Sequence, residues 1–266
     1  MDLHTFGTNL MMSCLDREAE AFVRKYFAHV PELAACAEVA GGDQHAENVL
    51  EHLIGALGAA SGYHPVLQLA ALFHDIGKPA VVATKDKKQI FHNHEVVGAQ
   101  MIKSMFPKFG YNEVITRDVS HLVRHHMYYF NSEAKDKAFR RWLLQVGPNW
   151  FDLLLLRMAD RRGNLAKNDR AAFTSQMNGL IRRVHKTIED NPVVFATDLN
   201  ISEEEIQEPA SKSQIKEITS ALVGLTNSEP EKNTNSWLKE YVTRVYGASE
   251  SNSSVSTLPE AEHEGS

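Results

Sequence analysis

Two segments constrain what this chain can fold into: "PVLQLAALFHD" (65–75) and "WFDLLLLRMAD" (150–160). Each is apolar on every side at helical spacing, and each ends in a carboxylate. A helix that is apolar all round is buried all round, so other helices must wrap both. Candidates are present. "DREAEAFVRKYFAHV" starts at Asp16, a residue able to cap, and places Ala19, Phe22, Val23, Tyr26 and Phe27 on one stripe. "AENVLEHLIGALGAA" does the same with Val49, Leu53, Ala56, Leu57 and Ala60. "NHEVVGAQMIKSMF", "YNEVITRDVSHLVRHHM" and "SEAKDKAFRRWLLQV" are amphipathic, and "AAFTSQMNGLIRRVHKTIED" is a long helix ending before Asn191-Pro192. Pro65 suits a first turn, and Gly163-Asn164 suits a C-cap.

No long alternating run and no hairpin dipeptide between apolar segments points to a strand; "PAVVATKDKKQIFH" has room for a short one but reads as a loop. The expectation is therefore all-α. A first domain covers 1–190, with its helical core beginning near residue 16. A weaker helical appendix covers 191–247, and a Ser-, Glu- and Asn-rich tail over 248–266 is expected to be disordered. Trp237, Tyr241 and Tyr246 in "SWLKEYVTRVYG" are expected to pack onto the main domain.

Charge excludes more than it selects. The formal net charge is −6, and four Glu of the tail account for much of it. Nothing in that balance advertises DNA binding. The small basic clusters (Lys85, Lys87 and Lys88; Arg140 and Arg141; Arg161 and Arg162; Arg182, Arg183 and Lys186) read as solvated faces. Two cysteines, Cys14 and Cys36, make neither a disulfide framework nor a zinc ribbon. No signal peptide and no membrane-length apolar run is evident, so a cytoplasmic location is expected. Oligomeric state is not legible.

Thirteen histidines in 266 residues do ask for a chemical explanation. His52 lies within "VLEHLI", His74 and Asp75 end the first buried helix, Asp160 ends the second, and His94 opens a helix in "FHNHEVVGA". In "VITRDVSHLVRHHM", His126 shares its face with Leu122, Val119 and Ile115, whereas His125 shares one with His121, Asp118 and Val114. His126 therefore points to the core and His125 to the polar side. Buried carboxylates need positive partners, and Arg157 is the one cation within those apolar runs. Four imidazoles and two carboxylates converging on divalent metal would satisfy all six, and such a set suits first-row metals. Six ligands are many for one ion that keeps an open position; they fit two ions sharing a bridging Asp.

The segments "DQHAENVLEHLIGAL", "LAALFHDIGKPA", "FHNHEVVGA", "HLVRHHM" and "LLLLRMADRRGN" together resemble the HD superfamily of metal-dependent phosphohydrolases. Within it they are similar to the HD domain of bacterial CCA-adding tRNA nucleotidyltransferases, over about residues 31 to 200. The resemblance implies a helical HD-domain bundle with His52, His74, Asp75 and Asp160 as metal ligands. The two-metal members imply His94 and His126 in addition. Those tRNA enzymes carry an upstream nucleotidyltransferase domain with a paired-Asp motif. Only about 44 residues precede the HD region here, without that motif and without a strand pattern, so hydrolysis rather than nucleotide addition is expected.

The expected chemistry is hydrolysis of a phosphate ester with two divalent ions (Mn, Ni, Fe or Mg), Asp75 bridging, and a metal-acidified water as nucleophile. Lys78 is placed to meet phosphate. His125, Arg157 and Arg161 are further candidate catalytic groups, the arginines as partners of a leaving phosphate or of Asp160. The resemblance suggests a nucleotide or RNA 3′-end as substrate, with a 2′,3′-cyclic phosphate leading. Two rivals remain: a di-iron HD-fold oxygenase, marked by as-purified iron and oxygen consumption, and a non-catalytic nucleotide-binding module, marked by indifference to loss of His74 and Asp75.

Overall fold

A computed structural model describes residues 1–40, 48–86, 88–127, 135–164, 170–191, 193–207, 210 and 213–247. The tail 248–266 and Lys87 lie outside the described residues. The chain divides into two compact units. The first comprises Met1–Trp142 and Pro148–Val184; the second comprises Leu143–Gly147 and the described residues from His185 on.

Among the described residues the fold is all-α with one small hairpin. In chain order the elements are α1 (Leu3–Leu15), α2 (Ala19–Tyr26), α3 (Pro31–Ala37), α4 (Val49–Ala59), α5 (Pro65–Phe73), α6 (Lys78–Val81), β1 (Ala83–Lys85), β2 (Lys88–Ile90), α7 (His94–Met105), α8 (Glu113–His125), α9 (Asp136–Val146), α10 (Trp150–Gly163), α11 (Arg170–Asp190), α12 (Glu203–Gln207), α13 (Ile215–Ser228) and α14 (Asn235–Tyr246). Among the described residues no helix is long and apolar enough to cross a membrane.

Helix α5 is the axle of the first unit. Every residue from Leu67 to Phe73 is buried, because α1, α4, α8 and α10 all pack against it. Pro65 opens it at the first turn, where a missing N–H costs nothing. Its one polar residue, Gln68, is satisfied by donating to the carbonyls of Cys14 (3.1 Å) and Tyr63 (2.8 Å). Fully burying side chains such as Leu67, Leu69, Leu72 and Phe73 stabilises by about 1.5–3 kcal/mol each.

Four sequence expectations change. The loop reading of 79–92 gives way to the antiparallel pair β1–β2, with Ala83 opposite Ile90, Thr84 opposite Gln89 and Lys85 opposite Lys88. Three-residue strands that are largely exposed carry no apolar alternation, so no pattern marked them. Asp16 is not an N-cap. It is the C-cap of α1, a helix capped at its start by Asp2, whose carboxylate accepts from the Thr5 N–H at 2.8 Å. Helix α10 is not buried all round: Phe151 is exposed, and Leu155, Arg157 and Met158 are half-buried. Finally, Trp237, Tyr241 and Tyr246 pack against the second unit's own core of Val193, Leu199, Ile201, Ile206, Ile218, Leu222, Leu238 and Val242.

Both cysteines are buried, and burial pushes each thiol up to about 12. The native protein should therefore react negligibly with iodoacetamide at pH 8, and mass spectrometry after denaturation should find both thiols alkylated.

Candidate metal centre

Each candidate ligand arrives at the end or on the inner face of a helix of the first unit. His74 caps the C-terminus of α5, and Asp75 follows in the next turn. His126 caps the C-terminus of α8. A helix C-terminus leaves carbonyls without intrahelical donors, and the imidazoles supply them. The Nδ1 of His74 bonds the Ala71 carbonyl at 2.9 Å, and that of His126 bonds the Val123 carbonyl at 2.7 Å. His94 opens α7 and repeats the arrangement with the Phe91 carbonyl at 2.7 Å. Each ring uses the carbonyl three residues before it. A nitrogen bonded to a carbonyl carries the hydrogen, so each Nε2 is left with a lone pair.

Those lone pairs converge. His94 Nε2 lies 3.2 Å from His126 Nε2, and Asp75 Oδ1 lies 3.0 and 3.5 Å from the two. On the other side, His52 Nε2 lies 3.1 Å from His74 Nε2, and Asp75 Oδ2 lies 3.6 and 3.4 Å from these. Asp160 Oδ1 stands 3.2 Å from His52 Nε2 and 3.9 Å from His74 Nε2. His52, His74, Asp75, His94 and His126 are all buried, and Asp160 is partly so. Among the described residues two groups of ligand atoms result, His52–His74–Asp75 and Asp75–His94–His126, and Asp75 belongs to both.

This donor set fits divalent metal. Two bare Nε2 atoms at 3.2 Å beside a carboxylate oxygen repel unless a cation lies among them. Nitrogens bound to one ion at about 2.1 Å stand about 3.0–3.4 Å apart, which is the spacing of both histidine pairs. Burial holds the His126 imidazole below its ordinary pKa, which keeps its lone pair open to a metal. Burial alone would also depress His74, but the Asp75 carboxylate and Asp160 outweigh it and raise its pKa. Asp75 is the reverse case. Burial would raise its pKa; the charge of His74 when protonated, that of Lys78, and the hydrogen bonds that His126 and His74 donate when protonated hold it well below the carboxylate range. Asp160 is depressed too, since its hydrogen bond from His52 and the charges of His74 and His52 overcome burial.

The candidate catalytic groups fall in different places. Lys78 is buried rather than a surface lysine: its Nζ is 2.6 Å from Asp75 Oδ2 and lies over the Phe91 ring at 5.1 Å. The cation that Asp75 needs thus comes from the first turn of α6. Arg157 Nη1 is 3.5 Å from Asp160 Oδ2. The Arg161 guanidinium lies over the Phe173 ring at 5.5 Å. His125 is half-buried with its ring against His121, centroids 4.6 Å apart, so the helical-face choice of His126 as the inward residue agrees with the geometry.

Close backbone approach sets these distances. A Cβ on Gly77 would sit 2.2 Å from the His94 carbonyl oxygen and 2.7 Å from the Gly98 nitrogen. The turn after Asp75 can therefore lie directly on the first turn of α7. Helices α4 and α10 meet likewise at Gly55 and Gly163, where a Cβ on Gly163 would sit 2.4 Å from the Ala56 nitrogen. Each glycine lies three residues past a ligand of that pair, His52 and Asp160. Sequence reasoning missed both contacts and all three carbonyls that orient the imidazoles. The recurring signal was a histidine three residues past a helix-ending or turn carbonyl.

Residues 45–167 match the HD domain family. This stretch is an HD domain. The matched span contains all six ligand candidates. A CC-adding tRNA nucleotidyltransferase of Thermus thermophilus is 31% identical over 139 residues, covering 50% of this chain and 32% of that protein. The chain thus spans about a third of the length of the curated relative it matches. HD domains are in general metal-dependent hydrolases, and the two histidine–aspartate groups are donors of the type such an activity requires.

Proposed function

We propose that this HD domain is a metal-dependent phosphohydrolase acting on a nucleotide or an RNA end, with a 2′,3′-cyclic phosphate as the leading ester. The observation that carries this reading is Asp75, whose two oxygens face two separate histidine pairs. His52, His74 and Asp160 would hold one divalent ion with Asp75, and His94 and His126 a second. Ions so held supply Lewis acidity toward phosphoryl oxygens and activate water near neutral pH.

The protein's own groups do the rest. The carbonyls of Ala71, Phe91 and Val123 fix three imidazoles in one tautomer, so binding metal needs no reorientation. Lys78, held against Asp75 and the Phe91 ring, supplies a buried cation that can shift from the carboxylate to a phosphate oxygen. Arg157 orients Asp160 and offers charge to the leaving group. His125, on the more polar side of the same helix end, can carry a proton between the site and water. The tRNA enzyme similar to half of this chain supports an RNA end over other phosphate esters.

The test combines metal analysis with a screen of 2′,3′-cyclic nucleotides, 3′-phosphorylated oligonucleotides and nucleoside mono-, di- and triphosphates. The expected result is close to two divalent ions per chain and hydrolysis of the cyclic ester that EDTA abolishes and added Mn²⁺ or Ni²⁺ restores. Iron that consumes oxygen, with no phosphate release from any substrate, would overturn the proposal.

A further inference from the structure

We propose that Glu95 is a positioning residue for the His94–His126 metal position, acting through His94, and that Arg124 holds Glu95 in place. The inference rests on the phosphohydrolase reading and concerns how one of its two metal positions is tuned. Helices α7 and α8 carry the two histidines, and their contacts run in antiparallel order toward them. Ser120 Oγ donates to the Ala99 carbonyl at 3.1 Å. Val123 packs on Gly98, where a Cβ would come within 3.2 Å of its side chain. Next, Arg124 Nη1 stands 3.5 Å from Glu95 Oε1. Beyond that pair, His94 Nε2 meets His126 Nε2 at 3.2 Å. The Glu95–Arg124 pair thus ties the helices one step before the metal donors.

Glu95 also faces the ring itself. Its Oε2 lies 3.8 Å from His94 Nδ1, whose hydrogen goes to the Phe91 carbonyl at 2.7 Å. The carbonyl takes the hydrogen bond, so the carboxylate acts through its charge. Negative charge on the Nδ1 side of a ligating histidine strengthens Nε2 toward a cation, as the outer carboxylates of metal sites do. Helix ends favour both charges where they stand, Glu95 in the first turn of α7 and Arg124 in the last turn of α8. The Glu95 side chain is 19% exposed and that of Arg124 41%. An ion pair so exposed contributes little to stability. Support of the fold therefore predicts almost no effect of removing Glu95, whereas support of His94 predicts selective loss of one ion. His52 and His74 sit on α4 and at the end of α5, outside both helices, so their position is spared.

The test titrates the metal-stripped full chain with Ni²⁺ against a chromophoric chelator, and follows melting of the metal-free protein. E95Q should weaken one of the two proposed ions about 10–100-fold and leave the other unchanged. Its metal-free melting temperature should match that of the wild type. R124Q should weaken the same ion less, and E95D, which keeps the charge, should recover part of the loss. In an H94A background E95Q should have no further effect, because its influence passes through His94. Unchanged affinity for both ions in E95Q would overturn the proposal. So would equal weakening of both with a lower melting temperature, which would make the pair a mere brace between helices, or a further loss in the H94A background. Failure of the phosphohydrolase reading shows separately, in the wild type, as no ester hydrolysed or a single ion bound. E95Q still decides the role of Glu95 in that case: the proposal holds where it weakens the bound ion through His94 and falls where it does not.

Discussion

In Asp75→Asn, the proposed hydrolysis should fall by about 10²–10⁴-fold, the equivalent of about 3–5 kcal/mol for stripping one member from a buried charge cluster. Bound divalent metal should drop from the proposed two ions per chain to one or none. The carboxylate is the one group common to both sets of ligands, and an amide gives each histidine pair a neutral neighbour in place of a charge. The variant also strands the buried ammonium of Lys78, which stands 2.6 Å from the lost oxygen. Metal-free Asp75→Asn should therefore melt below the metal-free wild type, and adding Lys78→Met should recover part of that loss without recovering activity. The pH dependence follows from the depressed pKa of Asp75. A carboxyl held below its ordinary 3.8 stabilises the fold at pH above that value, and the contribution is lost as pH falls toward the folded-state pKa. Melting of the metal-free wild type should thus fall more steeply below pH 4 than that of Asp75→Asn. Full metal occupancy and activity in Asp75→Asn would refute the shared-ligand arrangement.

The parts of this site that were legible in the sequence are those where polarity contradicts periodicity. His74 and Asp75 were visible because they terminate a run that has no solvent face, and His126 because its helical neighbours Leu122, Val119 and Ile115 are apolar while those of His125 are not. Burial of Lys78 was not legible, since nothing in "IGKPA" shows that the chain starts another helix at once and folds the ammonium back onto Asp75. The three carbonyls that fix the imidazoles have no side-chain signature at all. The same holds for β1–β2, which is set by pairing between short exposed segments rather than by apolar alternation. Helix α1 was passed over because its start depends on one capping aspartate, and its inner face is recognisable only beside the aromatic partners it meets. Phe6 lies 5.5 Å from Phe109, and the Tyr111 hydroxyl donates to the Gly7 carbonyl at 2.9 Å.

Gly77→Ala should remove one of the two proposed metal positions while leaving the other. The added Cβ would lie 2.2 Å from the His94 carbonyl oxygen and 2.7 Å from the Gly98 nitrogen, and neither is a side chain that can rotate away. The first turn of α7 must then shift, and it carries His94, whose Nε2 sits 3.0 Å from Asp75 Oδ1 and 3.2 Å from His126 Nε2. His52 and Asp160 are mounted on α4 and α10 and His74 on the end of α5, all outside α7, so their side of the site is spared. Overpacking of this kind costs about 1–3 kcal/mol of stability. Metal analysis should accordingly find one ion where two are proposed for the wild type, with the proposed activity reduced about 10²-fold or more, since a displacement near 1 Å has that effect on positioned groups. Gly224→Ala is the control: its Cβ would meet nothing within 4 Å in the middle of α13, so that variant should keep both ions and be as stable as the wild type or more so. Equal loss of both ions in Gly77→Ala would mean that the turn after Asp75 supports the whole cluster and that the two ligand groups do not act as separable positions.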